Sequence, residues 1–357
     1  MSNSRNHFLN NLASTKSRYN LGAGVPPISL YPQFKASEYL AEIEKTSGEN
    51  LLNYHQTPGY IRETAATAIE VNEGISIDFR NIAVTNGVQE AIALILSCFR
   101  TKTVACLDPS YPGFEDAAMI LGCKLIKLNL KTWLTDIEAL APESLLYLSS
   151  DFSNPRGSSL SEEERVRLAE LAEKKNFYIF DDTTYRPFYL DAPIRSLYSM
   201  NPERVIHAIS FSKILAPGLR TAFVYLPSSL APIFINNKAN LSLNNSGITQ
   251  ALVEFWLKSN NYQLSAHLGL AKKRLKENQK VLQRYKIDYN GGFFCTFELA
   301  KNVDYTFCDA LLNREQIAVL PMQLFSDNEL YMRQLRLCIA NVDNKDLETV
   351  LQVLLNF

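Results

Sequence analysis

The sequence has little of what builds a metal centre. It holds four histidines in 357 residues. Its six cysteines (Cys98, Cys106, Cys123, Cys295, Cys308 and Cys338) form no C-x-x-C pair and have no histidine at ligand spacing. No metal site is expected, and such scattered thiols read as free cysteines of a reducing compartment, not as a disulfide frame. An excess of charge of one sign is also lacking. Lys plus Arg number 36 against 37 Asp plus Glu, so no overall field favours nucleic acid or an anionic membrane. Apolar runs such as 92–99 fall far short of the roughly 20 residues that cross a bilayer. The N-terminus has no apolar secretory core. No acid precedes Glu38, a trait of organelle transit peptides, yet 20–27 reads as folded chain, so the cytoplasm is the expected location. Internal repeats, low-complexity tracts and long Gly/Ser linkers are missing too.

What is present is a chain long enough for two domains around a large core, 46% hydrophobic and 20% charged. Five short runs, 104–107, Leu145–Leu148, 178–180, 205–209 and 221–226, read as strands. They are almost continuously apolar, as strands buried on both faces of a mostly parallel sheet are. Helical patterns alternate with them. Ser161 to Glu164 has the form of a capping box ahead of an apolar stripe from Val166 to Ala172, and Asn86-Gly87-Val88-Gln89 opens another helix. The fold class expected is α/β. From about residue 250 the pattern changes to helices at 250–259 and 268–285, then G-G-F-F-C-T-F at 291–297. Apolar runs at 317–320 and 335–339 and a final helix follow. This reads as a smaller α+β domain with short antiparallel strands. The expected division is a large domain over 45–240 and a small one formed by 1–44 with 241–357.

Polar clusters directly follow four of the predicted strands. They are Asp108-Pro109-Ser110-Tyr111-Pro112, Ser153-Asn154-Pro155-Arg156-Gly157, Asp181-Asp182-Thr183-Thr184-Tyr185 and Ser210-Phe211-Ser212-Lys213. The C-terminal ends of parallel strands lie side by side, and α/β proteins bind ligands along that edge. Residues more than a hundred positions apart should therefore meet in one crevice.

Together with LGAGVPP, NYHQTPGY, TNGVQEA, SFSKILAPGLR, GGFF and LRLCIA, these clusters resemble the class I/II aminotransferases of pyridoxal-phosphate (PLP) fold type I. The resemblance runs from about Leu21 to the C-terminus. It implies a large domain with a mostly parallel central sheet, and PLP as cofactor. Lys213 would hold PLP as a Schiff base and move the proton at the substrate Cα, and a depressed pKa suits an amine to both tasks. Asp182 would pair with the pyridine nitrogen. Asp181 beside it is the competing choice, and the D-x-x-Y spacing to Tyr185 favours Asp182. Tyr185 and Asn154 would bond the phenolic oxygen, and Tyr111 would stack on the ring.

For the phosphate, the resemblance implies the N–H groups of Gly87, Val88 and Gln89 at a helix start, with Ser210, Ser212 and Arg220. Tyr54 resembles the tyrosine that reaches the partner subunit's phosphate, which implies a homodimer with shared sites. The substrate α-carboxylate would meet Arg336, with Gly24 and Asn154 beside it. On a strand, Arg336 and Cys338 point away from Leu335, Leu337 and Ile339, so the arginine is expected opposite the packed face. Arg333 is the alternative.

Arg156 stands where the family's Asn-Pro-Thr-Gly has threonine, and D-D-T-T-Y departs from its usual D-E-x-Y. The leading expectation is transfer of an amino group from an L-amino acid to a 2-oxo acid. Decarboxylation, elimination, cyclisation or oxidation on the same cofactor is the alternative. A PLP-sensing regulator is a third reading. It carries an added DNA-binding domain, for which the chain before Leu21 is too short, and no basic patch supports it.

Overall fold

The computed structural model describes residues 16–27, 36–47 and 51–357; the parts of the expected 1–44 segment at 1–15 and 28–35 lie outside them. Its strands, in chain order, are β1 (Tyr19–Asn20), β2 (Ile82–Thr85), β3 (Thr103–Asp108), β4 (Lys124–Asn129), β5 (Leu145–Leu148) and β6 (Tyr178–Asp182). There follow β7 (Val205–Ser210), β8 (Ala222–Tyr225), β9 (Phe294–Glu298), β10 (Ile317–Ala318), β11 (Leu320–Pro321) and β12 (Gln334–Cys338). The helices around the site are α1 (Arg62–Glu73), α2 (Val88–Ser97), α3 (Pro112–Ile120), α4 (Glu162–Lys175), α5 (Phe211–Ile214), α6 (Gly247–Ser259), α7 (Ser265–Arg284) and α8 (Asn344–Asn356).

Seven strands form one sheet in the order β2-β8-β7-β6-β5-β3-β4. The pairs from β7 to β4 are parallel, and β8 runs antiparallel to both β7 and β2. The fold is therefore α/β with a mostly parallel mixed sheet. Successive residues of a strand point to opposite faces, and the core divides accordingly. Leu145, Tyr147 and Phe180 join α2 and Phe114 of α3 in one apolar cluster. Leu146, Leu148 and Ile179 join Leu168 of α4, Trp256 of α6 and Leu268 of α7 in the other. The capping box at Ser161 is present, with both reciprocal hydrogen bonds.

A three-stranded antiparallel sheet, β11-β12-β9, forms the second layer of strands, and β1 pairs with β10. The expected strand over 317–320 is thus two strands serving two sheets. Another correction concerns the aspartates. Asp181 and Asp182 are the last residues of β6 rather than a loop after it, so the pleat sends them to opposite sides. Among the described residues no helix is long and apolar enough to cross a membrane, no cluster of three metal-type ligands exists, and all six cysteines are free.

Candidate active site

The C-terminal ends of β2, β5, β6 and β7 open on a cavity of about 550 Å³. Because β8 is antiparallel, its first residue Ala222 lies beside both Thr85 and Ser210. The turn that precedes β8 therefore brings Arg220 to the same edge. Its guanidinium donates to Ser212 Oγ (3.1 Å) and to the Asn86 carbonyl (3.0 Å). Gly87 caps α2 with φ +76°, and a Cβ there would run into the Arg220 guanidinium. Glycine is required twice over, by conformation and by this close approach. Ser210 caps α5 and accepts from the Ser212 amide at 3.3 Å. The start of α2, two serine hydroxyls and an arginine thus line the cavity, a set of donors suited to an anion.

Lys213, on α5, lines the cavity, and its amine donates to the Gly24 carbonyl at 2.5 Å. Burial lowers its pKa to about 8, and the Arg336 and Arg220 charges add to the shift. An amine so placed is a nucleophile near neutral pH. Across the cavity, Asp182 accepts from the Tyr147 hydroxyl (3.1 Å) and the Thr184 amide (3.2 Å). Burial raises its pKa, and those bonds and Lys213 counter the rise. Asp181 faces elsewhere, accepting from the Ser150 amide at 2.8 Å and the Ser150 hydroxyl at 2.7 Å. Tyr111 caps α3 and reaches Gln89 Oε1 at 3.2 Å, while Gln89 donates to the Gly113 carbonyl at 3.0 Å. The Gln89 side chain therefore steadies Tyr111.

The small sheet supplies Arg336. Its Nη1 donates to Asn154 Oδ1 at 2.9 Å and its Nη2 to the Gly22 carbonyl. Its guanidinium lies over the rings of Phe294 (4.4 Å) and Phe325 (5.0 Å). The expectation that it sits opposite the packed face is corrected. Both sides of β12 are packed, and Arg336 is only 3% exposed. Burial draws its pKa down to about 10, and its Nε is buried with no partner. A buried guanidinium with an unused donor is a ready site for a carboxylate. Arg333 instead lies at the surface, paired with Glu298. Tyr185 packs against Phe293 and Phe294 at 5.3 and 5.1 Å, and Gly24 sits where a Cβ would meet Phe294 at 2.8 Å.

The cavity thus gathers Gly24, Val88, Gln89, Tyr111, Asn154 and Asp182 with Tyr185, Ser210, Ser212, Lys213, Arg220 and Arg336. Gly87 stands at its edge through Arg220. Tyr54 does not join them and is 86% exposed. Tyr147 and Thr184, which hold Asp182, escaped the sequence reading. A lone tyrosine in the Leu-Leu-Tyr-Leu strand and a threonine two residues past the aspartate were the signals available.

An anionic group beside Arg220 and the serines, a protonated nitrogen beside Asp182 and a group that reacts with the Lys213 amine would each find a partner in this cavity. PLP carries all three. The relatives agree. The 2-aminoadipate transaminase of Thermus thermophilus is 27% identical, over 90% of this chain and 85% of that one. The structure of an α-aminoadipate aminotransferase from Thermus thermophilus, complexed with N-(5'-phosphopyridoxyl)-L-leucine, superposes with TM-score 0.83. It is 25% identical and covers 97% of this chain and 92% of that one. An uncharacterised helix-turn-helix-type transcriptional regulator of Bacillus subtilis is 28% identical over 64% of this chain, a match spanning about half (50%) of the regulator's length. The model of the family "Aminotransferase class I and II" matches residues 18–354, and the chain belongs to that family as a PLP-dependent aminotransferase.

Proposed function

We propose that the enzyme moves the amino group of an L-amino acid with an apolar side chain to a 2-oxo acid, with Lys213 as the residue that holds the cofactor. The observation that carries this is the placing of Lys213, Asp182 and Arg336 around one cavity whose lining also includes Val25, Ala117 and Ile120, with Asp116 beside them. The bound cofactor supplies an electron-accepting ring that stabilises negative charge at the substrate Cα. The chain's own residues do the rest. Arg336 and Gly24 hold the α-carboxylate and so fix which Cα bond is presented. Lys213, its pKa lowered by burial, would take the proton from the substrate Cα and pass it to the cofactor. Asp182, kept in place by Tyr147 and Thr184, would pair with the cofactor's ring nitrogen and favour its protonated form. Asn154 and Tyr185 would hold the cofactor's phenolic oxygen, and Tyr111 would stack on its ring. Gly87, Val88, Gln89, Ser210, Ser212 and Arg220 hold the phosphate.

Mixing the holoenzyme with single amino acids, without any oxo acid, tests the reading. Release of one equivalent of 2-oxo acid with conversion of the cofactor to its amine form is expected, fastest with apolar donors. Continuous turnover of one amino acid alone would overturn it. Stable binding without conversion would instead favour a non-catalytic role such as that of the transcriptional regulator it resembles in part.

We also propose a homodimer, active in the cytoplasm. Leu52 and Tyr54 are 85% and 86% exposed, and Leu241 and Leu243 are 66% and 47% exposed. The Asn244 side chain donates to the His55 carbonyl at 3.1 Å, which sets the two segments side by side. An apolar patch of this kind marks an interface, and two-fold pairing is the commonest closure. Tyr54 would then complete the partner's phosphate site. Mixed dimers of Tyr54→Phe with Lys213→Ala subunits should recover toward half of wild-type activity. No recovery, with Tyr54→Phe impaired alone, places Tyr54 within its own subunit.

A further inference from the structure

On the sheet face covered by α1, α6 and α7 lies a second cavity of about 180 Å³. Its lining is mainly apolar, with Phe211, Phe223, Tyr225, Leu264 and Leu268 prominent, and carries charged residues besides. Phe211 and Phe223 meet edge to face, with ring centroids 4.8 Å apart. Phe211 is also the residue between Ser210 and Ser212, so this wall backs the lysine segment of the first cavity. An apolar cavity of about 150 Å³ accommodates a benzene ring, so this one has room for such a ring and a short polar arm.

The charges on the lining sort into used and unused. Glu73 and Arg186 pair with each other at 3.0 Å, Arg186 also binds Asp151, and Glu73 also faces His207. Asp191 lies exposed at the rim. Lys272, half-buried on α7, has no ion pair or hydrogen bond among the described residues. Burial lowers its pKa. A partly desolvated cation at the end of an apolar cavity selects a ligand that is hydrophobic and singly anionic.

We propose that this cavity is a second ligand site for a small apolar carboxylic acid, the hydrocarbon part lying against Phe211 and Leu268 and the carboxylate on Lys272. The site is separate from the cavity of Lys213 and independent of the transamination reading.

The probe is 3-phenylpropionate, which has neither amino nor oxo group and so cannot react, titrated calorimetrically into the holoenzyme. Saturable binding is expected. Lys272→Met should weaken it about tenfold, or about 1.4 kcal/mol, while Lys272→Arg should stay within about twofold and 2-phenylethylamine should not bind. The Lys272 dependence should persist in Arg336→Ala, which lacks the substrate-side arginine. Absence of binding, affinity unchanged in Lys272→Met, or binding lost in Arg336→Ala alone overturns the proposal, the last by placing the probe in the Lys213 cavity.

Discussion

Strand β6 ends in two aspartates, and the two sides of the sheet use them in opposite ways. On the cavity side, Asp182 has three short neighbours, Tyr147 and the amide and hydroxyl of Thr184, and beyond them open space shared with Lys213. On the other side, Asp181 is held by Ser150 and lies within the field of a set of paired charges. Asp151 is bound by Arg165 and Arg186, Arg186 also holds Glu73 at 3.0 Å, and His207 stands 3.6 Å from Glu73. Arg165, Asp151 and His207 are fully buried. Asp151, Arg165, Arg186 and Glu73 behind the sheet are consumed by one another, whereas the charges in front keep donors and acceptors free for a guest. The pleat decides which aspartate does which. A buried pair costs desolvation that a good geometry just offsets, so the rear set specifies structure rather than adding much stability.

The comparison is tested most severely at Lys213. Lys213→Ala should lower turnover by roughly 10⁴-fold or more and abolish the holoenzyme's visible absorbance, with an unchanged circular-dichroism spectrum. Borohydride reduction and peptide mapping locate the cofactor in wild type, and label on any other lysine refutes the assignment. Next come the aspartates themselves. Asp182→Asn should cost roughly 10²–10³-fold in kcat, because a neutral amide no longer stabilises a positive ring nitrogen. Asp181→Asn should stay within about threefold. Equal losses, or a larger one at Asp181, would erase the distinction between the two sides.

Behind the sheet the expected damage is to stability. Arg165→Met strips Asp151 of one partner and leaves a carboxylate buried, a change that costs about 3–5 kcal/mol. Urea unfolding should show this as a lower midpoint with an unchanged slope, while kcat per folded molecule stays within about threefold. A large fall in kcat without loss of stability would mean that the rear set reaches into catalysis.

Much of this arrangement was legible in the sequence, for reasons that can be located. β5, β6 and β7 are central and nearly all apolar, so they stand out, and the polar residues at their ends mark the cavity edge. β4 was missed. It is one of the two edge strands, with Lys124, Lys127 and Asn129 exposed, and its alternation does not read as a buried run; the other edge strand, β2, was missed as well, being only four residues long. The direction of β8 was not legible either, because an apolar tetrapeptide carries no sign of its partner's orientation. Yet that direction is what brings Arg220 to Gly87. Arg336 was found by motif but misjudged in burial, since a strand pattern cannot show that Phe294 and Phe325 sandwich its guanidinium. The second cavity left no trace at all. Its walls come from α1, β7, β8, α6 and α7, and nothing local to any of them announces the others.

The smallest effect is the most diagnostic of the difference between the two aspartates. Burial, reinforced by the charge of Asp151, raises the pKa of Asp181 to about 6, whereas an unfolded aspartate titrates near 3.9. Between those values the folded protein holds a proton that the unfolded chain has released. Stability contributed by that proton is complete below about pH 4 and is lost as the pH climbs through about 6. Asp181→Asn removes the ionisation while its amide can still accept from the Ser150 amide and donate to the Ser150 hydroxyl. The variant should therefore gain on wild type between about pH 4 and 6 and keep a margin of roughly 1–3 kcal/mol above that range. Unfolding free energies of both proteins, measured across pH 4–8, give a difference curve that isolates Asp181. Asp151, whose arginines depress its pKa, bends both curves the other way, and its share largely cancels in the difference. Parallel curves would mean that Asp181 is ionised at no cost, and that the rear face of the strand is better solvated than its packing implies.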